Sequence, residues 1–228
     1  MVEVLKQIDF TPFYLTLKLA FTTTVILFFV GMPLAYFLSY SKFKLKAAIE
    51  AVVALPLVLP PSVLGFYLLL IMSKNGFLGK FWQELFGHQL AFHYEGIVIA
   101  SVIFSFPFMV HPLLSGFKSV NKSLIEASYT LGKSKIQTLF RVILPNMKPA
   151  IMTGITLSFA HTVGEFGVVL MVGGSIEGET KVVSIAIYDA VEKLDYTTAH
   201  AYAAILFGLS FFVLLLLYML NKRFEVAQ

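Results

Sequence analysis

Few residues in this chain have the type and spacing that chemistry requires. Gly132-Lys133-Ser134 imitates the end of a phosphate-binding loop. The first glycine of such a loop would fall at position 127, which is Ala127, and no strand pattern precedes it. The triplet is therefore not a nucleotide site. There is no His-Glu-x-x-His, no Gly-x-Ser-x-Gly and no pair of catalytic carboxylates. The absence of cysteine excludes disulfides, thiolate metal sites and cysteine nucleophiles. The chain reads as no enzyme, with no catalytic residue, no metal ligand set and no cofactor.

One ionisable constellation remains, His161-Thr162-Val163-Gly164-Glu165-Phe166-Gly167. Glu165 is the one acidic residue well inside an apolar run, where an unpaired ionisable group is costly and marks function by default. His161 precedes it by one helical turn, so the two side chains are expected on one face, as a pair that lowers the cost for both. Gly164 and Gly167 permit close backbone approach. Three roles stay open for this stretch: holding a helix interface or gate, lining a watery passage, or relaying a proton. A carboxylate repels an anion, so Glu165 is not read as a ligand for an anionic substrate.

The elements that must position these residues are membrane helices. Hydrophobic residues make up 58% of the 228-residue chain and charged residues 13%, about half the share usual in a soluble domain. Mean hydropathy is +0.83. Five apolar runs, near residues 13–39, 47–72, 96–117, 149–172 and 199–220, each supply the roughly 20 residues a helix needs to cross hydrocarbon. The expected fold is all-α and polytopic, a single transmembrane domain over residues 13–220. The first run is too long for a signal-peptide core, follows acidic Glu3 and Asp9, and offers no small-residue cleavage site. In the second run, Pro56, Pro60 and Pro61 lie within six residues. Each removes a backbone donor, so a broken helix is expected there, either lining a pore or gate or shaping a static kink. After the fourth run, a glycine-rich turn over residues 173–180 leads into a short apolar stretch, 182–188, too brief to span.

The lysines orient the bundle. With the N-terminus outside and the C-terminus cytoplasmic, the inner side receives Lys42, Lys44, Lys46, Lys118, Lys122, Lys133, Lys135, Arg141, Lys148, Lys222 and Arg223. The outer side receives Lys6, Lys74, Lys80, Lys181 and Lys193, and Lys18 can snorkel from the first run. This split obeys the positive-inside rule and the reverse breaks it. The net charge of +4 is thus a topology signal and implies no nucleic acid.

Residues 118–148 form a basic, half-apolar segment between two runs. Ser123-Leu124-Ile125-Glu126 reads as a capping box, Gly132 as a helix end, and Pro145 as the stop of a second short helix carrying Ile136, Leu139, Phe140 and Ile143. The alternative is an amphipathic loop lying on lipid headgroups. Glu126-Ala127-Ser128, Gly132 and Val142-Ile143-Leu144-Pro145, at these spacings, resemble the EAA loop of ABC importer permeases. Ser128 stands for the third alanine of that pattern and Val142 for an isoleucine.

The resemblance implies a type I ABC importer permease whose 118–148 segment couples to an ATPase, with Glu126, Ala127, Gly132, Leu144 and Pro145 at the contact. It also implies a homodimer in a bacterial inner membrane, two copies of the ATPase and an extracytoplasmic oxyanion-binding protein. Leu57-Val58-Leu59-Pro60-Pro61, Gly164-Glu165-Phe166-Gly167 and Gly178-Glu179-Thr180 are similar to the molybdate branch, which makes Pro56, Pro60, Pro61, His161 and 164–167 its pore or gate candidates. The sulfate–thiosulfate branch shares the Gly-Glu-Phe-Gly core, and tungstate is not distinguished from molybdate. A proton-coupled carrier using His161 and Glu165 is the remote alternative, but five runs show no inverted repeat.

Overall fold

The computed structural model of the protein describes residues 8–225, so Glu3 and Lys6 of the sequence reading lie outside the described residues. Every regular element among the described residues is helical. The chain opens with α1 (Thr11–Tyr40); α2 (Lys46–Val58) and α3 (Pro61–Met72) follow as a pair bent by 113°. Beyond them come the short α4 (Phe77–Phe86) and the long α5 (Tyr94–Ser119). A connecting segment holds α6 (Lys122–Thr130), α7 (Lys135–Thr138), a π-helical turn at Leu139–Ile143, and α8 (Leu144–Asn146). The helices α9 (Lys148–Val163) and α10 (Gly167–Gly173) form a second bent pair, at 60°. The short α11 (Val183–Glu192) precedes the last helix, α12 (Tyr196–Glu225).

Among the described residues, helices α1, α5 and α12 are each long and apolar enough to cross a bilayer, and the two bent pairs bring the candidate spans up to five, the number of hydropathy runs. Packing explains their arrangement. Helices α1, α5 and α9 share a core of Leu27, Leu38, Met109, Val110, Leu113 and Phe117, which Ile143 and Met147 close at one end. Helices α3 and α10 pack on each other through Leu68, Met72, Val168 and Val172. Residues 183–188 of the short apolar stretch lie in α11, with Val182 extended just before it, and Val183 and Ala186 pack against Phe13 and Tyr202. Ser-rich and Thr-rich contacts replace hydrophobic ones where a backbone donor must be met, as when Thr16 Oγ1 accepts from Val183 N–H at 2.9 Å.

The connections sort to two ends. At the end that carries the segment from α6 to α8, Tyr40 Oη donates to the Phe117 carbonyl at 3.3 Å. At the far end, Phe92 N–H donates to the Val172 carbonyl at 2.9 Å, and Tyr94 N–H donates to Glu179 Oε1 at 3.0 Å. Lys181 sits there between Asp189 at 3.0 Å and Glu177 at 3.6 Å. Burial pulls its pKa down, but the Asp189 hydrogen bond and the two carboxylate charges win and hold it above the ordinary lysine value.

The proline cluster breaks the second span at one point only. Leu59 and Pro60 each precede a proline and take extended ψ values of 134° and 138°, leaving Pro61 to open α3 at its first turn. Pro56 lies inside α2 without ending it, so the expected break forms at Pro60–Pro61.

Candidate functional site

The two interrupted spans meet at their interruptions. The Pro60–Pro61 break of one lies against Gly167, where α10 restarts after the break at Gly164–Phe166. A Cβ placed on Gly167 would stand 2.9 Å from Pro61 Cβ, and one on Gly65 would stand 2.8 Å from Met171 Cβ. Real Cβ contacts are not this short, so both positions require glycine while these helices touch. The structure therefore brings Pro60, Pro61, Gly164, Glu165, Phe166 and Gly167 to one locus. Pro56 lies outside it, one turn earlier on α2.

Glu165 and His161 are both present but do not pair, which corrects the expected face-sharing. Helix α9 ends at Val163, so Glu165 falls in the break and helical periodicity no longer relates it to His161. His161 Nδ1 instead shares a hydrogen bond with Ser105 Oγ at 2.9 Å, and its ring stacks on Phe108 with centroids 3.9 Å apart. Ser105 also bonds Thr162 Oγ1 at 3.0 Å. Glu165 is 4% exposed. Ser184 Oγ donates to its backbone carbonyl at 2.7 Å, which ties the break to α11. Both carboxyl oxygens and the nearby Ser101 hydroxyl complete no hydrogen bond, and no described basic group lies within 4.0 Å of the carboxyl. An ionised carboxylate without a counter-ion at that depth is strongly disfavoured, so this geometry offers no proton relay from His161.

The 118–148 segment is a bent pair of short helices followed by a π-turn. Asn121, not Ser123, caps α6: its Oδ1 accepts from Ser123 N–H at 3.0 Å. The capping box belongs to α7 instead, where Gln137 N–H donates to Ser134 Oγ at 3.2 Å and Ser134 N–H to Gln137 Oε1 at 3.1 Å. Gly132 ends α6 with φ +73°, as expected; Lys133 N–H then closes on the Ser128 carbonyl at 3.1 Å and Gly132 N–H on Tyr129 at 2.9 Å. Pro145 does not stop the second helix. The chain widens into the π-turn just before it, absorbing the missing donor, and helix continues to Asn146. The buried hydroxyls of Ser128 and Thr138, 2.9 Å apart, pin α6 to α7. The departure from alanine at 128 thus supplies a cross-link.

The apolar side chains divide between two faces. Ile125, Leu139 and Leu144 pack on the bundle core. Leu131 and Ile136 flank Gly132 and point outward, 77% and 70% exposed, and Glu126 and Ala127 are exposed beside them. Nothing lies within 4 Å of a Cβ built on Gly132. Leu131, the residue before the helix-ending Gly132, belongs to the outward face.

A polytopic bundle whose two broken spans meet, with a rigid helical elbow projecting from one end, has the architecture of a transport permease. It superposes on a chain of a bacterial alginate ABC transporter, solved in complex with an alginate pentasaccharide-bound periplasmic protein, with a TM-score of 0.74 over 92% of this chain and 77% of that one at 17% identity. Residues 18–226 match the family described as the binding-protein-dependent transport system inner membrane component, and the chain belongs to that family. It is a membrane transport subunit, not an enzyme. It is 46% identical to the molybdenum transport system permease protein ModB of Azotobacter vinelandii over 98% of both chains. It is 34% identical to a probable sulfate transport system permease protein cysT of Chlorella vulgaris, over 94% of this chain and 82% of that one.

Proposed function

We propose that this chain is the permease of an ATP-driven importer of molybdate, with tungstate as an accepted analogue. Two copies form the pathway, two ATPase subunits dock on their coupling segments, and an extracytoplasmic binding protein delivers the oxyanion. The N-terminus is outside and the C-terminus cytoplasmic. The carrying observation is the coupling segment itself: Leu131 and Ile136 present a rigid apolar face around Gly132, open to a partner's groove. Exposed Val52, Leu55 and Val58 on α2 and Val63 on α3 supply an apolar face for the second copy. The closer likeness to a molybdenum permease than to a sulfate one favours molybdate.

Energetics explain the need for ATP. A dianion entering a cell with a negative interior climbs about 4.6 kcal/mol per 100 mV, twice the cost for one charge. In the proposed cycle, ATPase closure draws the two coupling segments together. Helix α9 carries that motion from Met147 to the break at Gly164, and the contact of Gly167 with Pro61 passes it to α3. Alternating access follows as the two bent pairs shift against each other. His161 holds α9 to α5 through Ser105 and Phe108, and Ser184 ties the Glu165 backbone to α11.

The test is uptake of labelled molybdate by proteoliposomes holding the chain, its ATPase and its binding protein. ATP-dependent uptake that vanishes with Gly132→Asp and resists excess sulfate supports the proposal. Strong sulfate competition moves the substrate to the sulfate branch. Uptake driven by a pH gradient, with Gly132→Asp still active, removes the ABC mechanism.

A further inference from the structure

The helix α4 has three distinct sides. Phe77, Phe81 and Leu85 recur at every fourth residue and are 83%, 55% and 60% exposed. Leu78 and Trp82 form a second side, packed on the cluster of Leu68, Met72 and Leu90. Lys80, Gln83 and Glu84 form a third, polar side. A helix touching only protein and water needs one apolar side. A helix inside hydrocarbon would not carry Lys80 and Glu84 on ten residues, and ten residues cannot span. One apolar side against protein, one apolar side free and one polar side suit the boundary between acyl chains and water.

Its place agrees. It follows α3 at the far end of the bundle, opposite the coupling segment, and α3 ends in Leu70 and Ile71, which are themselves 49% and 41% exposed. Trp82 Nε1 donates to His88 Nε2 at 3.4 Å while its ring lies 4.2 Å from that of Phe86, the amphipathic setting of an interfacial tryptophan. The joint to α3 is stiff. Gly76 N–H donates to the Ser73 carbonyl at 2.8 Å, and a Cβ on Gly79 would collide with the carbonyl oxygens of Met72 and Ser73.

We infer that α4 is a lipid-bound foot, with Phe77, Phe81 and Leu85 seated among the acyl chains just below the headgroups, and that through the Gly79 joint it fixes the far end of α3. The second clause rests on the reading of α3 as a gate element; the first does not. The foot lets the break at Pro60–Pro61 move while the opposite end of α3 stays anchored to the membrane surface.

Trp82 is the one tryptophan of the chain, so its fluorescence reports α4 without labelling. The probe is phosphatidylcholine brominated either near the headgroup or near the chain end, in vesicles holding the permease with its ATPase, the tryptophans of the ATPase and of any added binding protein being replaced by phenylalanine. Quenching greater with the shallow bromine supports the seat, as does its loss in the Phe77→Glu, Phe81→Glu double variant. No quenching by either lipid overturns it, and so does shallow quenching that disappears when the binding protein is added, because the stripe then belongs to that protein. The double variant also separates the clauses. Quenching lost together with slower ATP-dependent uptake supports anchoring of α3. Quenching lost with uptake unchanged removes the anchoring role and leaves the gate proposal standing.

Discussion

Replacing Gly167 by alanine tests the gate locus with a single methyl group. The new Cβ would stand 2.9 Å from Pro61 Cβ, an atom of a rigid ring that cannot swing aside. Overpacking of this kind costs about 1–3 kcal/mol. If the contact of α10 with α3 exists in one gate state and opens in the other, that cost falls on one state alone. The equilibrium between the two then shifts by roughly 5- to 150-fold, the factor that 1–3 kcal/mol commands. Gly208→Ala is the control, the same methyl in α12 with nothing within 4 Å. The chain contains no cysteine, so Ser62→Cys, next to Pro61, gives one reporter thiol. Maleimide labelling of that thiol, with and without ATP and vanadate, reads the partition between states. The expected result is a partition displaced by Gly167→Ala, with slower uptake, and unmoved by Gly208→Ala. A partition identical in the two variants, with both folded, would refute the reasoning: the Pro61–Gly167 contact would be present in both states and would be packing alone.

Three further outcomes are expected. Leu131→Asp and Ile136→Asp sit on exposed positions, so thermal stability should hold within about 0.5 kcal/mol while copurification of the ATPase is lost; an intact complex would place the docking face elsewhere. Glu165→Gln keeps the shape of a buried side chain that has no counter-ion and should retain most uptake; an inactive but folded Glu165→Gln would mean that a charge or a mobile proton is required. Ser128→Ala alone leaves the buried Thr138 hydroxyl without its partner and should cost about 1–3 kcal/mol, and adding Thr138→Val should recover part of it; simple additivity in denaturation midpoints would show that the 2.9 Å bond contributes nothing.

What was legible in the sequence follows from the range of each rule. The break at Pro60–Pro61 was legible because the rule acts on neighbours: two consecutive prolines disfavour helix at two neighbouring residues, and Leu59 and Pro60 are extended, whereas the lone Pro56 leaves Leu55 helical. The turn at Gly132 was legible for the same reason. Ser123 was misassigned as a cap because Asn121, also a residue type that caps helices, stands two residues earlier, and the choice depends on where α5 releases the chain at Val120. The His161–Glu165 pair failed because periodicity presumes an unbroken helix, and Gly164 ends that helix between them. The partners His161 does take, Ser105 and Phe108, lie more than fifty residues away and leave no mark in the local pattern. The same reasoning bears on the gate. Pro61 and Gly167 each stood out by residue type alone, one as a helix breaker and one as a site of close approach. Only the fold shows that the breaker of one span is what the glycine of the other makes room for. That complementarity gives the locus more weight than either motif, because a break in lipid must be buried by something, and here each break is covered in part by the other.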